Sequence, residues 1–176
     1  MRFEAIDLDG AWLVHQEAMQ DERGFFARTF CVDEFGAHCL ETKFPQHSVS
    51  HSSRKGTVRG MHFQRAPHGE VKLVRCLTGA IWDVIIDLRP DSSTFRQSRG
   101  FELSADNGLQ LYIPKGLAHG FQTLTDDTRV NYLISEFYTP TAASGVRYND
   151  PAFDVRWPLP VTMIAEKDLQ WPDFAR

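Results

Sequence analysis

The sequence predicts an all-β fold, either a β-sandwich or a barrel, and two observations carry this prediction. Apolar and polar residues alternate with a period of two through much of the 176 residues, which is the pattern of strands that bury one face. Turn-forming residues interrupt these runs at short intervals, and only Val32 to Leu40 and Ile164 to Phe174 look helical. Many short strands separated by turns are typical of double-sheet and closed β architectures.

A strand over Arg59 to Gln64 contains a glycine, Gly60. Glycine inside a strand pattern indicates a β-bulge. Strict alternation would put Arg59 and His62 on opposite faces of this strand. One extra residue at a bulge lets both side chains point into the same cavity.

The clearest alternation is in the middle of the chain. A strand from Val71 to Leu77 is followed by a second run, Ile81 to Leu88, in which every even position is apolar and Asp83 and Asp87 occupy odd positions. Thr78-Gly79 between the two runs predicts a hairpin turn. We expect both aspartates to be structural partners of cationic groups.

Two later runs repeat the pattern and end in turn signals. The residues that share a face are Leu109, Leu111 and Ile113, before the break at Pro114-Lys115-Gly116, and then Val130, Tyr132, Ile134 and Tyr138.

Composition limits the classes of function. The net charge of −4 argues against a nucleic-acid binder with a basic face, although a few local cations can still hold an anionic small molecule. No apolar run is long enough to cross a bilayer and no signal peptide is visible, so we expect no membrane partner. Three cysteines, an odd count without a pair at metal spacing, indicate buried thiols in a reducing cytoplasm.

His62 is the first candidate for chemistry. A lone histidine is most simply a half-buried side chain that a backbone group satisfies. Next to Arg59 and Gln64, on a strand suited to a core, His62 is better explained as a catalytic base. Neutral imidazole is matched to proton abstraction near pH 7, and it needs a partner, usually a carboxylate, to fix its tautomer.

Lys72 and Tyr132 each allow two interpretations. Lys72 interrupts an apolar strand, so it is either an edge residue whose amine reaches water or a cation that stabilises an enolate oxygen. Tyr132 is either a core tyrosine, which the pattern alone favours, or a proton donor across the substrate from His62.

Two arginines, Arg59 and Arg23, are candidates for holding phosphate, because the guanidinium fork suits that geometry. A surface salt bridge is the alternative for each, and it is a strong alternative for Arg23.

The sequence contains half of a metal-binding pattern. Small double-sheet barrels often bind metal through a His-x-His pair, a carboxylate and a later histidine, and Pro114-x-Gly116-x-x-His119 has the form of the second half. The first half is missing, because His62 is followed by Phe63-Gln64 and the next histidine, His68, lies beyond a proline. We therefore predict no metal site.

The chain resembles the dTDP-4-dehydrorhamnose 3,5-epimerases over nearly its whole length. An ordered set of motifs carries the resemblance: Asp21-Glu22-Arg23-Gly24-Phe25-Phe26, Arg59-Gly60-Met61-His62-Phe63-Gln64, Val71-Lys72-Leu73-Val74-Arg75-Cys76, Asp83-Val84, Leu103-Ser104-Ala105-Asp106-Asn107, Pro114 to Phe121, Asn149-Asp150-Pro151, Trp157-Pro158 and Glu166-Lys167-Asp168. The resemblance implies a cupin-type jelly roll that works as a homodimer without metal or other cofactor.

The resemblance also implies roles for individual residues. His62 would be the base, Asp168 the carboxylate that orients it, Tyr132 the acid and Lys72 the amine beside the enolate. The implied substrate contacts are Arg23, Gln46, Ser48, Arg59, His119 and, near the nucleotide, Tyr138.

Several substrate-contact positions depart from the family pattern. Arg28 and Ala143 stand where the family carries glutamate, Ser48 replaces an asparagine, and the loop from Ser50 to Lys55 is one residue longer. Since these positions lie mostly towards the nucleotide, they bear on which nucleotide sugar is bound. The alternatives are a single-site epimerase, acting at C3 or C5 only, and a metal-dependent cupin enzyme. A binding module without activity is disfavoured by the joint presence of a base, an acid and an orienting carboxylate.

We therefore predict one domain over residues 1–176, with a tail, residues 161–176, that packs back on the barrel. The expected activity is cofactor-independent epimerisation at C3, C5 or both of a dTDP-linked 4-keto-6-deoxyhexose. The reaction would convert dTDP-4-dehydro-6-deoxy-D-glucose to dTDP-4-dehydro-L-rhamnose through an enolate. We expect a cytoplasmic enzyme of dTDP-rhamnose and polysaccharide biosynthesis.

Overall fold

Two β-sheets lie face to face in the computed structural model, which describes residues 1–174. The first sheet is antiparallel, and its strands in spatial order are β1 (Arg2–Ala5), β2 (Trp12–His15), β10 (Leu109–Ile113), β7 (Lys72–Thr78), β12 (Thr128–Ile134) and β5 (Gln46–Ser52). The second sheet contains β13 (Ala143–Gly145), β6 (Thr57–Gln64), β11 (Leu117–Thr123), β8 (Ala80–Asp87) and β9 (Ser98–Ser104), with β14 (Met163–Ile164) parallel to β6. A separate hairpin pairs β3 (Met19–Asp21) with β4 (Gly24–Phe26). This jelly-roll barrel confirms the predicted fold class.

The main core fills the space between the two sheets. Val74 and Leu111 from the first sheet pack there with Ile85 and Phe121 from the second, and all four side chains are buried. Each side chain of this size contributes about 1.5–3 kcal/mol when it is buried. The period of two in the sequence is therefore the signature of this interior.

Strand β8 is buried on both faces, which explains its dense apolar pattern. Ile85 faces the main core, whereas Val84 and Ile86 pack on the other side of the second sheet against Met61 and Phe153. Alternation in this run therefore separates two cores, and the residues from Asp83 to Asp87 are buried on both faces of the strand.

The two helices are shorter than the stretches predicted to be helical. Helix α1 (Val32–Ala37) covers the outer face of the first sheet through Phe35, which is fully buried, and it ends just before Cys39, whose φ of 57° is left-handed. Helix α2 (Glu166–Leu169) is a single turn. Within residues 1–174, no helix has the length and apolar character needed to cross a membrane.

The predicted bulge at Gly60 is confirmed. Between two register positions that join β6 to β11, three steps along β6 match two along β11. Gly60 has a φ of 137°, and a Cβ on it would lie 2.5 Å from the Cα of Gly120, so the two strands approach too closely for any other residue. As a result, Arg59 and His62 line the same cavity.

The hairpin predicted at Thr78-Gly79 is wrong. Strands β7 and β8 lie in different sheets, so the chain turns a corner of the barrel at this point. Gly79 has a φ of 78°, and a Cβ there would clash with the hydroxyl of Thr125. The residues of a turn do not show whether the two strands that it joins pair with each other. Here β7 pairs with β10 and β12, and β8 pairs with β9 and β11, so the turn joins two sheets.

The segment after residue 156 lies along the second sheet. The side chain of Gln122 binds both the N–H and the carbonyl of Leu159 at 3.0 and 2.9 Å. Met163 and Ile164 then pair with β6, and the N–H of Phe174 donates to Asp150 at 2.7 Å. These contacts fix the position of α2 beside β6. The last two residues of the predicted tail, 175 and 176, lie outside the described residues.

Candidate active site

A cavity of about 990 Å³ opens between the two sheets. Its walls come from β5, β7 and β12 of the first sheet, β6 and β11 of the second, and α2. The volume is at the upper end of the range for small-molecule sites, so the cavity can take an extended ligand.

His62 and Asp168 meet in this cavity, although they are 106 residues apart in the sequence. The Nε2 of His62 lies 2.7 Å from Oδ1 of Asp168, and only 2% of Asp168 is exposed against 38% of the His62 side chain. Burial acts to raise the pKa of Asp168, but the hydrogen bond and charge of His62, together with the N–H of Gly60 and the charge of Lys167, hold this pKa below its ordinary value. An ionised Asp168 accepts a hydrogen bond from the Nε2–H of His62, so the other ring nitrogen, Nδ1, keeps a free lone pair.

A second imidazole–carboxylate pair lies next to the first. His119 is the cross-strand partner of His62, and its Nε2 lies 3.0 Å from both carboxylate oxygens of Asp83. Both residues are buried, His119 at 4% and Asp83 at 0% exposure. Burial raises the pKa of Asp83, and the neighbouring His119 opposes this shift. The sequence pattern indicated a cationic partner for Asp83 but did not identify it as His119, because the contact between these two side chains depends on the register of β8 and β11.

Lys72 lies in the middle of the first sheet and lines the cavity, so the edge-strand alternative is wrong. Its Nζ is 2.9 Å from a carboxylate oxygen of Glu70 and 3.4 Å from the carbonyl of His62. Only 9% of Lys72 is exposed. The amine is therefore a buried cation beside His62 whose charge Glu70 balances.

Tyr132 enters the cavity from the sheet opposite His62. Its hydroxyl shares a 3.1 Å hydrogen bond with Ser50, and its ring packs on the main core. Burial, with a smaller contribution from the charge of Asp83, raises the pKa of Tyr132 far above its ordinary value. The hydroxyl is consequently protonated at neutral pH and is available as a proton donor.

Arg59 has neutral partners in the part of the chain that the structure describes. Its Nε donates to the hydroxyl of Ser52 at 3.0 Å, and its Nη2 donates to the carbonyl of His51 at 2.8 Å. A guanidinium that is oriented without a carboxylate keeps its positive charge available to an anionic ligand.

Three further predicted contacts lie towards the cavity rim: Gln46, Ser48 and Tyr138. The N–H of Tyr138 donates to the side chain of Gln46 at 2.7 Å, and the Tyr138 ring is exposed. Gln64, which the sequence marked only as a neighbour of His62, holds the same loop by accepting the N–H of Thr139 at 2.6 Å.

Arg23 is the one predicted site residue that lies away from this cavity. It stands at the turn of the β3–β4 hairpin with 84% of its side chain exposed, and it pairs with Asp21 at 2.5 Å. Within a single chain, Arg23 therefore forms a surface ion pair, which is the alternative to a phosphate contact that the sequence allowed.

No cluster of three or more His, Cys, Asp or Glu side chains that could hold a metal ion is found between residues 1 and 174. His68 does not line the cavity that contains His62 and His119.

Comparison with known proteins identifies the family. A profile for dTDP-4-dehydrorhamnose 3,5-epimerase matches residues 5–176. A dTDP-4-dehydrorhamnose 3,5-epimerase from Methanothermobacter thermautotrophicus is 43% identical over 174 residues, covering 97% of this chain and 92% of the relative.

Solved structures agree in fold over the same length. A dTDP-4-dehydrorhamnose 3,5-epimerase from Bacillus anthracis, with TDP and PPi bound, superposes with a TM-score of 0.95 at 40% identity, covering 98% of this chain and 99% of that one. A dTDP-6-deoxy-D-glucose-3,5-epimerase from Legionella pneumophila, in complex with dTDP-4-keto-L-rhamnose, gives a TM-score of 0.90 at 33% identity, covering 96% and 89%.

Proposed function

Because the chain belongs to the dTDP-4-dehydrorhamnose 3,5-epimerase family, it is a sugar-nucleotide epimerase, and we propose that it inverts C3 and C5 of a dTDP-linked 4-keto-6-deoxyhexose with His62 as the base. The observation that carries this proposal is the 2.7 Å contact between His62 and a buried Asp168 at the wall of a large cavity. The product is dTDP-4-dehydro-L-rhamnose. The ligand of the Legionella pneumophila relative supports this substrate class.

The ketone at C4 sets the chemistry. Removing the hydrogen from C3 or C5 leaves electrons that delocalise onto the C4 oxygen as an enolate. His62 takes that hydrogen with its free Nδ1 lone pair, and Asp168 stabilises the imidazolium that forms. General-base catalysis of this kind contributes roughly 10²–10⁴-fold.

The developing charge on the C4 oxygen needs a cation in a site with little water. Lys72 is buried beside His62 and is proposed to donate to this oxygen. His119, fixed by Asp83, is proposed to contact the same end of the sugar. Oriented donors of this kind are worth on the order of 10²–10³ in turnover when one is removed.

Inversion needs a donor on the other face of the carbon. Tyr132 comes from the sheet opposite His62 and carries a protonated hydroxyl. We propose that it delivers the proton that completes inversion, above all at C5.

The nucleotide end of the substrate is proposed to lie along the rim. Arg59 carries an oriented charge suited to a phosphate, while Gln46, Ser48 and Tyr138 offer polar and aromatic contacts. We also propose a cytoplasmic enzyme of dTDP-rhamnose and polysaccharide biosynthesis. The three cysteines are free thiols, as expected in a reducing compartment. The prediction that all three are buried is wrong, because only Cys76 is buried, whereas Cys31 is half-buried and Cys39 is exposed.

The decisive experiment is proton NMR in deuterated water with dTDP-4-keto-6-deoxyglucose as substrate. The wild-type protein is expected to introduce deuterium at C3 and C5 and to form the inverted product. The His62→Ala variant is expected to lose exchange at both carbons, by roughly 10²–10⁴-fold, while its affinity for dTDP is retained. Persistent exchange in this variant would show that another group is the base.

We further propose a homodimer in which the β3–β4 hairpin of one subunit reaches the cavity of its partner. Met19, Phe25 and Phe26 expose 65%, 62% and 67% of their surface on this hairpin, more apolar area than one short segment usually leaves to water. The family resemblance assigns Arg23 to the substrate, yet in its own chain Arg23 is remote from the cavity. A partner subunit would reconcile the expected substrate contact of Arg23 with its position in its own chain.

Sedimentation and kinetics test the dimer together. Replacing Phe25 and Phe26 by serine is expected to give a monomer with weak substrate binding. The Arg23→Ala variant serves as the matched control, because it should remain dimeric while its KM rises on the order of tenfold, as expected for a lost charged hydrogen bond. A wild-type protein that sediments as a monomer and remains fully active would contradict the proposal.

A further inference from the structure

Strand β5 presents a row of polar side chains to the functional residues. Alternate positions of a strand share a face, and in β5 these are Gln46, Ser48, Ser50 and Ser52. Ser52 accepts a hydrogen bond from Arg59 at 3.0 Å, and Ser50 shares one with the hydroxyl of Tyr132 at 3.1 Å. The row therefore holds two proposed functional side chains, each through its own serine.

Ser50 reaches Tyr132 diagonally across the β5–β12 pair. Tyr132 stands opposite Ser48 in the register, and Ser50 stands opposite Val130. Diagonal neighbours on one face of a sheet are within reach of an aromatic side chain. In the part of the chain that the structure describes, Ser50 is the only hydrogen-bond partner of the Tyr132 hydroxyl.

An acid that gives up its proton has to recover it before the next turnover. After Tyr132 protonates carbon it is a phenolate in a site where burial and the nearby carboxylate of Asp83 disfavour that charge. The phenolate oxygen therefore needs a donor, and Ser50 is already bonded to it.

Ser50 is also placed to exchange protons with water. Strand β5 is at the edge of the first sheet, and Ser50 is only partly buried, whereas Tyr132 packs on the main core. The hydroxyl of serine both donates and accepts, so it can pass a proton without a net change of its own.

We propose that Ser50 is a positioning residue that aims the hydroxyl of Tyr132 at the substrate and returns the proton that Tyr132 loses. This inference rests on the proposed epimerase function and deepens it. As the enolate electrons form the new C–H bond, the Tyr132 O–H bond breaks. The Ser50 proton then moves to the phenolate oxygen and a water proton moves to Ser50. The imidazolium of His62 releases to solvent the proton that it took from the substrate, so the protons balance over one turnover.

The test separates deprotonation from inversion. In the Ser50→Ala variant, deuterium exchange at C5 is expected to continue, because His62 still removes the proton and returns one to the same face. Inversion at C5 is expected to fall by about tenfold or more, since Ser50 acts through an acid that is itself worth roughly 10²–10⁴-fold. The measured quantity is the ratio of inversion to exchange at C5, read by proton NMR in deuterated water.

Three variants show whether the effect is local. Ser50→Thr keeps the hydroxyl and is expected to restore the ratio, which a merely structural role of the side chain would not require. Ser52→Ala removes the neighbouring serine, which holds Arg59, so it should raise KM and leave the ratio unchanged. Adding Ser50→Ala to Tyr132→Phe should cause no further loss, because the two residues act as one unit.

The outcomes also separate this inference from the function on which it rests. If wild type exchanges neither C3 nor C5, the epimerase proposal fails and this inference fails with it. If wild type inverts both carbons and a Ser50→Ala protein that binds dTDP normally keeps the wild-type ratio, only the role of Ser50 is overturned. If Ser50→Thr behaves like Ser50→Ala, the hydroxyl is not what matters, and the inference is likewise rejected.

Discussion

Two neighbouring histidines in this site have different environments. The side chain of His62 is 38% exposed and that of His119 is 5% exposed, although both bind a buried carboxylate at 2.7–3.0 Å. The exposed imidazole can reach a carbon and turn over protons with solvent, whereas the buried one is suited to hold a fixed position. This difference in burial supports His62, rather than His119, as the proposed base.

Substitution of the proposed acid should separate the two halves of the reaction. The Tyr132→Phe variant keeps the ring that packs on the main core but loses the hydroxyl. Exchange at C3 and C5 is expected to persist while inversion falls, at C5 above all, by roughly 10²–10⁴-fold. NMR analysis of the product stereochemistry checks this, and unchanged stereochemistry would contradict the assignment of Tyr132.

At this scale the sequence predicted residue types better than residue partners. His62 and Lys72 stand out because a polar group interrupts a strand pattern, and the family resemblance added Asp168. The contacts of Asp83 with His119 and of Ser50 with Tyr132 were missed, because each depends on which strand lies beside which. Serine on an edge strand carries no local signal of such a role.

At the scale of elements, the site depends on the contact between β6 and β11. Gly60 and Gly120 face each other where the bulge occurs, and the strands that meet there carry His62 and His119. Glycine in a strand pattern was sufficient to predict the bulge. It was not sufficient to predict the second glycine opposite it, which belongs to a strand some sixty positions later in the sequence.

A methyl group at this contact should cost both stability and activity. In Gly120→Ala the new Cβ would lie 2.6 Å from the sulfur of Met61 and 2.7 Å from the carbonyl of Arg59. Overpacking of this kind typically destabilises a fold by about 1–3 kcal/mol, and the displaced strand carries His62. Urea denaturation and turnover rates measure the two effects.

Gly36→Ala is the matched control for this prediction. Gly36 lies in α1, where the nearest atom to a new Cβ is 3.9 Å away. Alanine is favoured over glycine in a helix by about 0.8–1 kcal/mol, so stability should hold or rise and turnover should not change. Equal losses in the two variants would contradict a specific role for the glycine contact.

At the scale of the whole molecule, a buried carboxylate ties distant segments together. Asp87 is fully buried and accepts hydrogen bonds from Arg89, Ser92 and Thr94 at 2.6–2.9 Å. Arg89 also donates to the carbonyl of Asp9 at 2.6 Å, which joins the end of β8 to the segment between β1 and β2. Burial alone would raise the pKa of Asp87, but these donors lower it from 3.8 to about 2.

This lowered pKa predicts part of the acid sensitivity of the fold. A carboxylate whose pKa is lower in the folded than in the unfolded state stabilises the protein above the unfolded value, and this contribution is lost as pH falls through the folded value. For Asp87 the contribution is about 2 kcal/mol, lost between about pH 4 and pH 2. In urea denaturation, the free energy of unfolding of wild type should exceed that of Asp87→Asn by an amount that shrinks across this window. Parallel stability curves would contradict the prediction.

The separation of 106 residues between His62 and Asp168 has a consequence for how activity is acquired. Contacts between such distant parts of a chain require large loops to close, and they slow folding relative to local pairing. We therefore expect the imidazole of His62 to gain its carboxylate late in folding, when α2 docks beside β6. In a refolding experiment, we expect enzymatic turnover to recover later than the circular dichroism signal. Activity would then measure the formation of the native state.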